Sequence, residues 1–209
     1  MLALESLKET IDIAKTKSVI TKQKLAFLWF SIFHAPPGDI VEVGSYRGGS
    51  GLILATAAKQ FKPTSKVYLC DTFKGIVLAG EKDNFHKNGD FNDTSIHEVN
   101  SLLFSRGLDN YSLVEGIFPQ ETSALVPTKN ISVLHIDVDV YEGYKNILHW
   151  SKNKLVNNAI IILDDYGVES CNGATEAVKE FLVSENDFLN YHLCYRPFES
   201  SWYMLYTKK

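Results

Sequence analysis

Short apolar segments alternate with helical ones along most of the chain, and the apolar segments end on glycine or aspartate. Asp39–Val43 stops at Gly44, Lys66–Cys70 at Asp71, Ile131–Ile136 at Asp137 and Ala159–Leu163 at Asp164-Asp165. Segments this apolar are buried on both faces, which requires a parallel sheet between two layers of helices. In such sheets ligands bind beyond the carboxyl ends of the strands. One glycine turn and several carboxylates therefore reach a single edge. Ser50–Gln60, Thr94–Arg106, Tyr144–Lys152 and Ala174–Val183 have the apolar spacing of helices. Tyr111–Val114 adds a strand, and Tyr191–Tyr195 with Trp202–Tyr206 reads as an antiparallel pair around Arg196–Ser201. The expected architecture is α/β: a mostly parallel seven-stranded sheet, helices on both faces, and an antiparallel C-terminal hairpin.

Ahead of the sheet, Leu4 to His34 reads as two helices, with Thr21 as N-cap of the second. Ala35-Pro36-Pro37-Gly38 ends that helix. The chain thus divides into a helical N-terminal extension, residues 1–37, and a main domain, residues 38–209. Gly75 to Asp93 is polar, carries three glycines and has no periodicity. Its length marks it as a substrate loop or lid.

The 209 residues are enough for one sizeable α/β domain, and a net charge of −4 exerts no general pull on nucleic acid or anionic membrane. The apolar run near Leu25 to Phe33 is too short to span a bilayer. The start of the chain has no basic-then-apolar signal pattern. Cys70, Cys171 and Cys194 lie far apart, with no metal-ligand spacing among them. A reducing cytoplasm is the simplest setting.

The turn Val41-Glu42-Val43-Gly44-Ser45-Tyr46-Arg47-Gly48-Gly49 joins a strand to a helix. Glycine lets backbone approach a ligand, and the helix N-terminus favours negative charge. The dinucleotide fingerprint Gly-x-Gly-x-x-Gly fails because Tyr46 stands at its second glycine. The phosphate loop fails because Gly49, not lysine, precedes Ser50. Acid-x-Gly-x-x-x-Gly remains: Glu42, Gly44, Gly48. That spacing suits S-adenosylmethionine, whose carboxylate matches free N–H groups, with Glu42 adding negative field nearby. By itself the turn is equally compatible with a purely structural connection. Asp71, ending the next strand, is placed to accept the ribose hydroxyls of such a cofactor.

Asp137, Asp139, Asp164 and Asp165 end neighbouring strands. Carboxylates crowded on one edge repel each other unless a cation neutralises them, and hard oxygen ligands favour magnesium or calcium over zinc. No cluster of histidine and cysteine points to zinc. A divalent ion there would lower the pKa of a substrate hydroxyl, and an aspartate would accept its proton. If the strand continued, Asp137 and Asp139 would point the same way.

The order of these motifs resembles the macrocin O-methyltransferase family. The matching stretches begin with Gly38–Gly44 plus Arg47-Gly48-Gly49, then Asp71-Thr72-Phe73-Lys74-Gly75, His86–Phe91 and Glu115–Phe118. His135–Tyr141 and Asp164-Asp165-Tyr166-Gly167 with Gly173-Ala174 complete them. The resemblance implies a class I methyltransferase (Rossmann-like) fold, S-adenosylmethionine, Mg2+, and methyl transfer to a hydroxyl of a sugar-containing or polyol-like small molecule. It implies Asp137, Asp164 and Asp165 as metal ligands, with Asp137 also the catalytic base. Cofactor contacts are expected from Glu42, Gly44, Ser45, Tyr46, Gly48 and Ser50, from Asp71, Thr72 and Phe73, from Gly116, Ile117 and Phe118, and from Asp137. His86–Phe91 would lie near cofactor and substrate. In the family the part before Gly38 often covers the active site and builds subunit contacts, which allows for a homodimer. Position 138 is valine where macrolide-sugar members commonly have glycine.

Two other functions compete: a NAD-dependent oxidoreductase, disfavoured by the glycine spacing, and a non-catalytic nucleoside- or sugar-binding module. His135, inside an apolar strand, reads as a core or edge residue. His86 and His97 read as surface or lid groups.

Overall fold

In the computed structural model, which describes residues 2–184, 190–197 and 201–207, seven strands form one sheet in the order β3-β2-β1-β4-β5-β7-β6. The strands are β1 (Asp39–Val43), β2 (Val67–Asp71), β3 (Tyr111–Glu115), β4 (Ile131–Ile136), β5 (Leu155–Leu163), β6 (Tyr191–Arg196) and β7 (Ser201–Tyr206). β1 to β5 pair in parallel, and β7 runs antiparallel between β5 and β6. Residues 198–200 of the expected hairpin connection lie outside the described residues.

The helices are α1 (Leu2–Lys15), α2 (Lys22–His34), α3 (Gly49–Phe61), α4 (Ile96–Phe104), α5 (Tyr141–Ser151) and α6 (Asn172–Ser184). They cover the two faces of the sheet unequally. On one face Ile40, Val67, Leu69, Val133, Ile160 and Ile162 pack with α1 to α4. On the other, Val41, Val43, Leu134, Ile136, Ile161 and Leu163 pack with α5 and α6. Neighbouring strand residues take opposite faces because the pleat has a period of two. Among the described residues no helix is long and apolar enough to cross a membrane.

Several element ends differ from the sequence reading. Thr21 does cap α2, its hydroxyl accepting the Lys24 N–H at 3.2 Å. α4 starts at Ile96 rather than Thr94, capped by Ser95, one of the two cap residues the sequence allows (Thr94 or Ser95), whose hydroxyl accepts the Glu98 N–H at 3.2 Å. α5 starts at Tyr141, one turn before the expected Tyr144. A remote group makes this possible: Asp83 Oδ1, from the long loop, accepts the Tyr141 N–H at 2.9 Å. The supply of that cap lies far away in sequence, so local periodicity could not register it. β5 begins at Leu155 rather than Ala159, its polar Asn157 and Asn158 being exposed.

The ends of β4 and β5 are tied together by Tyr144, which is fully buried. Its hydroxyl donates to the Ile136 carbonyl at 2.8 Å and accepts the Asp165 N–H at 3.1 Å. Tyr144→Phe strands the buried Asp165 N–H, and we expect it to cost about 2 kcal/mol. Urea unfolding of the variant against the native chain measures this; an unchanged midpoint would refute the tie.

Candidate functional site

A cleft opens at the carboxyl edge of the sheet. Its floor is the first turn. Gly44 has φ +95, and a Cβ there would lie 1.7 Å from the Asp137 carbonyl oxygen. Only glycine lets the β1 and β4 ends approach this closely. Gly48, with φ +82, starts α3. The Asp71 carboxylate holds the turn in place. Its Oδ2 accepts the Tyr46 N–H at 2.7 Å, and its Oδ1 accepts the Phe73 N–H at 2.7 Å. Burial pushes Asp71 above the ordinary carboxylate range, against the pull of these backbone donors. Tyr46 is fixed over the cleft by its hydroxyl on Asp93 Oδ1 (2.6 Å), and Arg47 pairs with the same aspartate.

The cleft brings together Gly44, Tyr46, Asp71, Thr72, Gly116, Ile117, Phe118 and Asp137 of the expected cofactor residues. Glu42, Ser45, Gly48, Ser50 and Phe73 do not line it. Glu42, Ser45 and Ser50 are buried beneath the turn, and Phe73 packs into the core. The loop contributes Ile76, Val77, Leu78 and Phe91 to the wall, and Val19, between α1 and α2, adds a contact. Of these only Phe91 belongs to a matched stretch; Val19, Ile76, Val77 and Leu78 carry no motif.

Asp137 lines the cleft, whereas Asp164 and Asp165 do not; each of the three offers a carboxylate oxygen within 4.8 Å of the others. An all-oxygen donor set suits a hard ion such as magnesium rather than zinc. Burial, with the neighbouring Asp164 and Asp165 charges, raises Asp137 well above its ordinary value. Burial, with Asp139 and Asp164, does the same to Asp165. Such a cluster favours uptake of protons or of a cation. β4 stops at Ile136, and Asp139 has φ +64, so strand alternation does not set the direction of Asp139. Asp165 Oδ2 instead draws the loop in, accepting the Val138 and Asp139 N–H groups at 3.1 and 2.9 Å.

Asp164 differs from its neighbours. Lys24 Nζ, from α2, donates to Asp164 Oδ2 at 2.9 Å and to its carbonyl at 2.8 Å. His135 Nε2 lies 3.9 Å from Asp164 Oδ1, a Coulombic contact beyond hydrogen-bond range. On its other side His135 Nδ1 meets Glu42 Oε1 at 3.0 Å. Burial acts to raise Asp164, but His135 and Lys24 outweigh it and hold the carboxyl below its ordinary value. Burial likewise opposes the charge on His135, yet Asp164 and Glu42 push its pKa up to about 10. His135 is a core residue, as expected, and its raised pKa favours the charged form; it links Glu42 below the first turn to Asp164 of the carboxylate cluster. The signal that could have found it is register: Glu42 and His135 are direct partners on adjacent strands. Lys24 had no local signal, because its partner is 140 residues away.

The profile of the Macrocin-O-methyltransferase (TylF) family matches residues 31–187. A 4'-O-methyltransferase of 8-demethyl-8-(2,3-dimethoxy-alpha-L-rhamnosyl)-tetracenomycin-C from Streptomyces olivaceus is 26% identical over 66% of this chain and 56% of that protein. Mycinamicin III 3''-O-methyltransferase from Micromonospora griseorubida is 27% identical over 69% and 60%. Demethyldecarbamoylnovobiocin O-methyltransferase from Streptomyces niveus is 30% identical over 69% and 58%. The chain therefore spans between 56% and 60% of the length of these relatives. The solved O-methyltransferase NovP superposes with a TM-score of 0.79 at 23% identity, covering 92% of this chain and 83% of that one. CalS11, a calicheamicin methyltransferase, gives 0.70 at 17% identity, covering 97% and 93%. The fold is that of the class I methyltransferases, as the sequence implied.

Two outcomes follow from the geometry. Gly44→Ala has no room for its methyl group and should destabilise the chain by at least about 3 kcal/mol, read from chemical denaturation. Because His135 is held charged, its contribution to stability is complete below about pH 6.5 and is lost as pH rises toward about 10. Urea midpoints across that interval should fall for the native chain and stay flatter for the neutral pair Glu42→Gln/His135→Gln. Parallel profiles would refute the charged histidine.

Proposed function

The chain belongs to the macrocin O-methyltransferase family, and we propose that it transfers a methyl group from S-adenosylmethionine to a hydroxyl of a sugar-containing or polyol-like small molecule. One observation carries this reading: Gly44, Tyr46 and Asp71 line the same cleft as Asp137 and Asp139, and Asp164 and Asp165 stand beside Asp137. The sugar acceptor draws support from the rhamnosyl acceptor named for the Streptomyces olivaceus relative.

In this reading the turn from Gly44 to Tyr46, with Thr72 and Gly116–Phe118, holds the methyl donor. The Asp71 oxygens accept backbone N–H groups of the two turns and keep lone pairs for the ribose hydroxyls. Asp137, Asp164 and Asp165 hold a magnesium ion. When bound, that ion supplies Lewis acidity and orientation to the acceptor oxygen. Lys24 and His135 keep Asp164 ionised and oriented. The sequence reading assigned proton acceptance to Asp137. We assign it to Asp139, which lines the cleft outside the metal trio, in a positive-φ conformation held by Asp165. Strained backbone of this kind clusters at active sites. Transfer itself then depends on alignment of acceptor oxygen and donor methyl within the closed cleft.

Residues 1–37 form a helical cap in this reading, closing one side of the cleft through Val19 and reaching the cluster through Lys24. The exposed Phe30 and Phe33 on α2 suit a homodimer contact. The free thiols Cys70, Cys171 and Cys194 suit a reducing cytoplasm.

Calorimetry with S-adenosylhomocysteine and with NADH should give heat for the first alone; binding of NADH instead would overturn the proposal. Against a panel of glycosides, scored by mass gain of a methyl group, Asp139→Asn should lower turnover about 10²- to 10⁴-fold while S-adenosylhomocysteine binding is unchanged. Full activity in Asp139→Asn would return the base to Asp137.

A further inference from the structure

Beside the aspartate trio lies a second group of ligand atoms with a different chemistry. His86 Nε2 is 3.6 Å from Asp139 Oδ1 and 3.6 Å from Cys171 Sγ, and Cys171 Sγ is 3.4 Å from Asp139 Oδ1. A tetrahedral zinc ion, with bonds of about 2.3 Å to sulfur and about 2.0–2.1 Å to nitrogen and oxygen, separates its ligand atoms by about 3.3–3.6 Å. All three pairs therefore stand at or within about 0.3 Å of ligand spacing. We propose that His86, Asp139 and Cys171 form a binding site for a thiophilic divalent cation, with zinc the best match, separate from the all-oxygen site of Asp137, Asp164 and Asp165.

Each ligand is held from behind. The His86 side chain is only 10% exposed and lies between Phe85 and Phe91, with ring centroids at 5.1 and 6.0 Å. Asp90 Oδ2 sits 3.8 Å from Nδ1, on the far side of the imidazole from the proposed ion. A carboxylate there favours the tautomer that leaves Nε2 free to ligate. Asp139 is fixed by its N–H on Asp165 Oδ2. Cys171 is buried in a short 3-10 turn leading into α6. Its sulfur also has Ser170 Oγ at 3.6 Å and Asp165 Oδ1 at 3.9 Å.

The donor set determines which ion is accepted. Thiolate, imidazole and carboxylate together select zinc or cobalt, whereas magnesium prefers the oxygen trio. Binding exchanges one proton for the metal: the Cys171 thiol, which donates to Asp139 in the free chain, releases its proton to solvent and ligates as thiolate. The three ligands come from the long loop, the β4 end and the turn before α6, so the ion would also pin the loop to the sheet. The site shares Asp139 with the proton-acceptor role proposed above, so an ion bound here and proton acceptance by Asp139 exclude one another; the titration below reads metal binding alone and does not depend on turnover.

The test is titration of the full chain with Co2+ in excess Mg2+. A near-ultraviolet thiolate-to-cobalt band and visible bands of a tetrahedral ion should appear, saturate at one equivalent, and vanish on adding Zn2+. Cys171→Ser should remove the near-ultraviolet band, while Cys70→Ser and Cys194→Ser keep it. His86→Ala, at a position outside both hydrophobic cores, should weaken Zn2+ binding about 10- to 100-fold in competition with a chelator. Circular dichroism of each variant confirms the native fold. Absence of the band in the native chain overturns the proposal. So does its survival in folded Cys171→Ser, or unchanged Zn2+ affinity in His86→Ala.

Discussion

The carboxylates at one edge of the sheet repel one another, and much of the local structure answers that repulsion. Asp137, Asp164 and Asp165 converge within ligand distance, with Asp139 close by and Glu42 buried one strand away. Two cations built into the chain, Lys24 and His135, offset part of the charge, and both act on Asp164. The rest of the cluster is left short of positive charge, which is the condition a divalent ion satisfies. A buried cluster of this kind is costly to assemble, and that cost supports the proposal that this edge is the functional end of the molecule.

The pleat sorts that cluster between the two layers of helices. On the face covered by α2 and α3, alternation aligns Glu42 with His135 across β1 and β4, and Asp164 extends the line to Lys24. Asp165 is one residue further on and faces the other layer. There its backbone meets Tyr144 from α5, and its carboxylate lies near Cys171 before α6. Two adjacent aspartates thus acquire different partners and different protonation tendencies from a single step along the chain. Asp164 is held ionised, while Asp165 is pushed toward its neutral form.

The loop from Gly75 to Asp93 joins the two ends of the site. Its lack of periodicity follows from how it is held. Asp83 caps α5, Lys82 bridges Glu176 and Glu180 on α6, and Asn172 donates to the Lys82 carbonyl. These side-chain anchors replace regular backbone pairing. They carry His86 and Phe91 to the cleft while leaving the backbone irregular.

Parallel strands, their order of glycine and aspartate ends, and the division into helices and sheet were legible in the chain, because burial on two faces writes a continuous apolar run and strand ends need turn residues. The glycine spacing, Asp71 and the aspartate pairs were legible for the same reason: each belongs to one local strand end. Lys24 on Asp164, Asp83 at α5, and His86 with Cys171 on Asp139 were not. Their members come from segments 32 to 140 residues apart, and each residue alone resembles an ordinary surface or core group. The same limit explains why the three cysteines showed no ligand spacing, although one of them meets a histidine and a carboxylate in space. Local sequence determined which strand ends would carry carboxylates. Only tertiary packing decided which of those carboxylates meet a positive group of the chain itself and which are left short of one, because charge compensation depends on distance in space rather than along the chain.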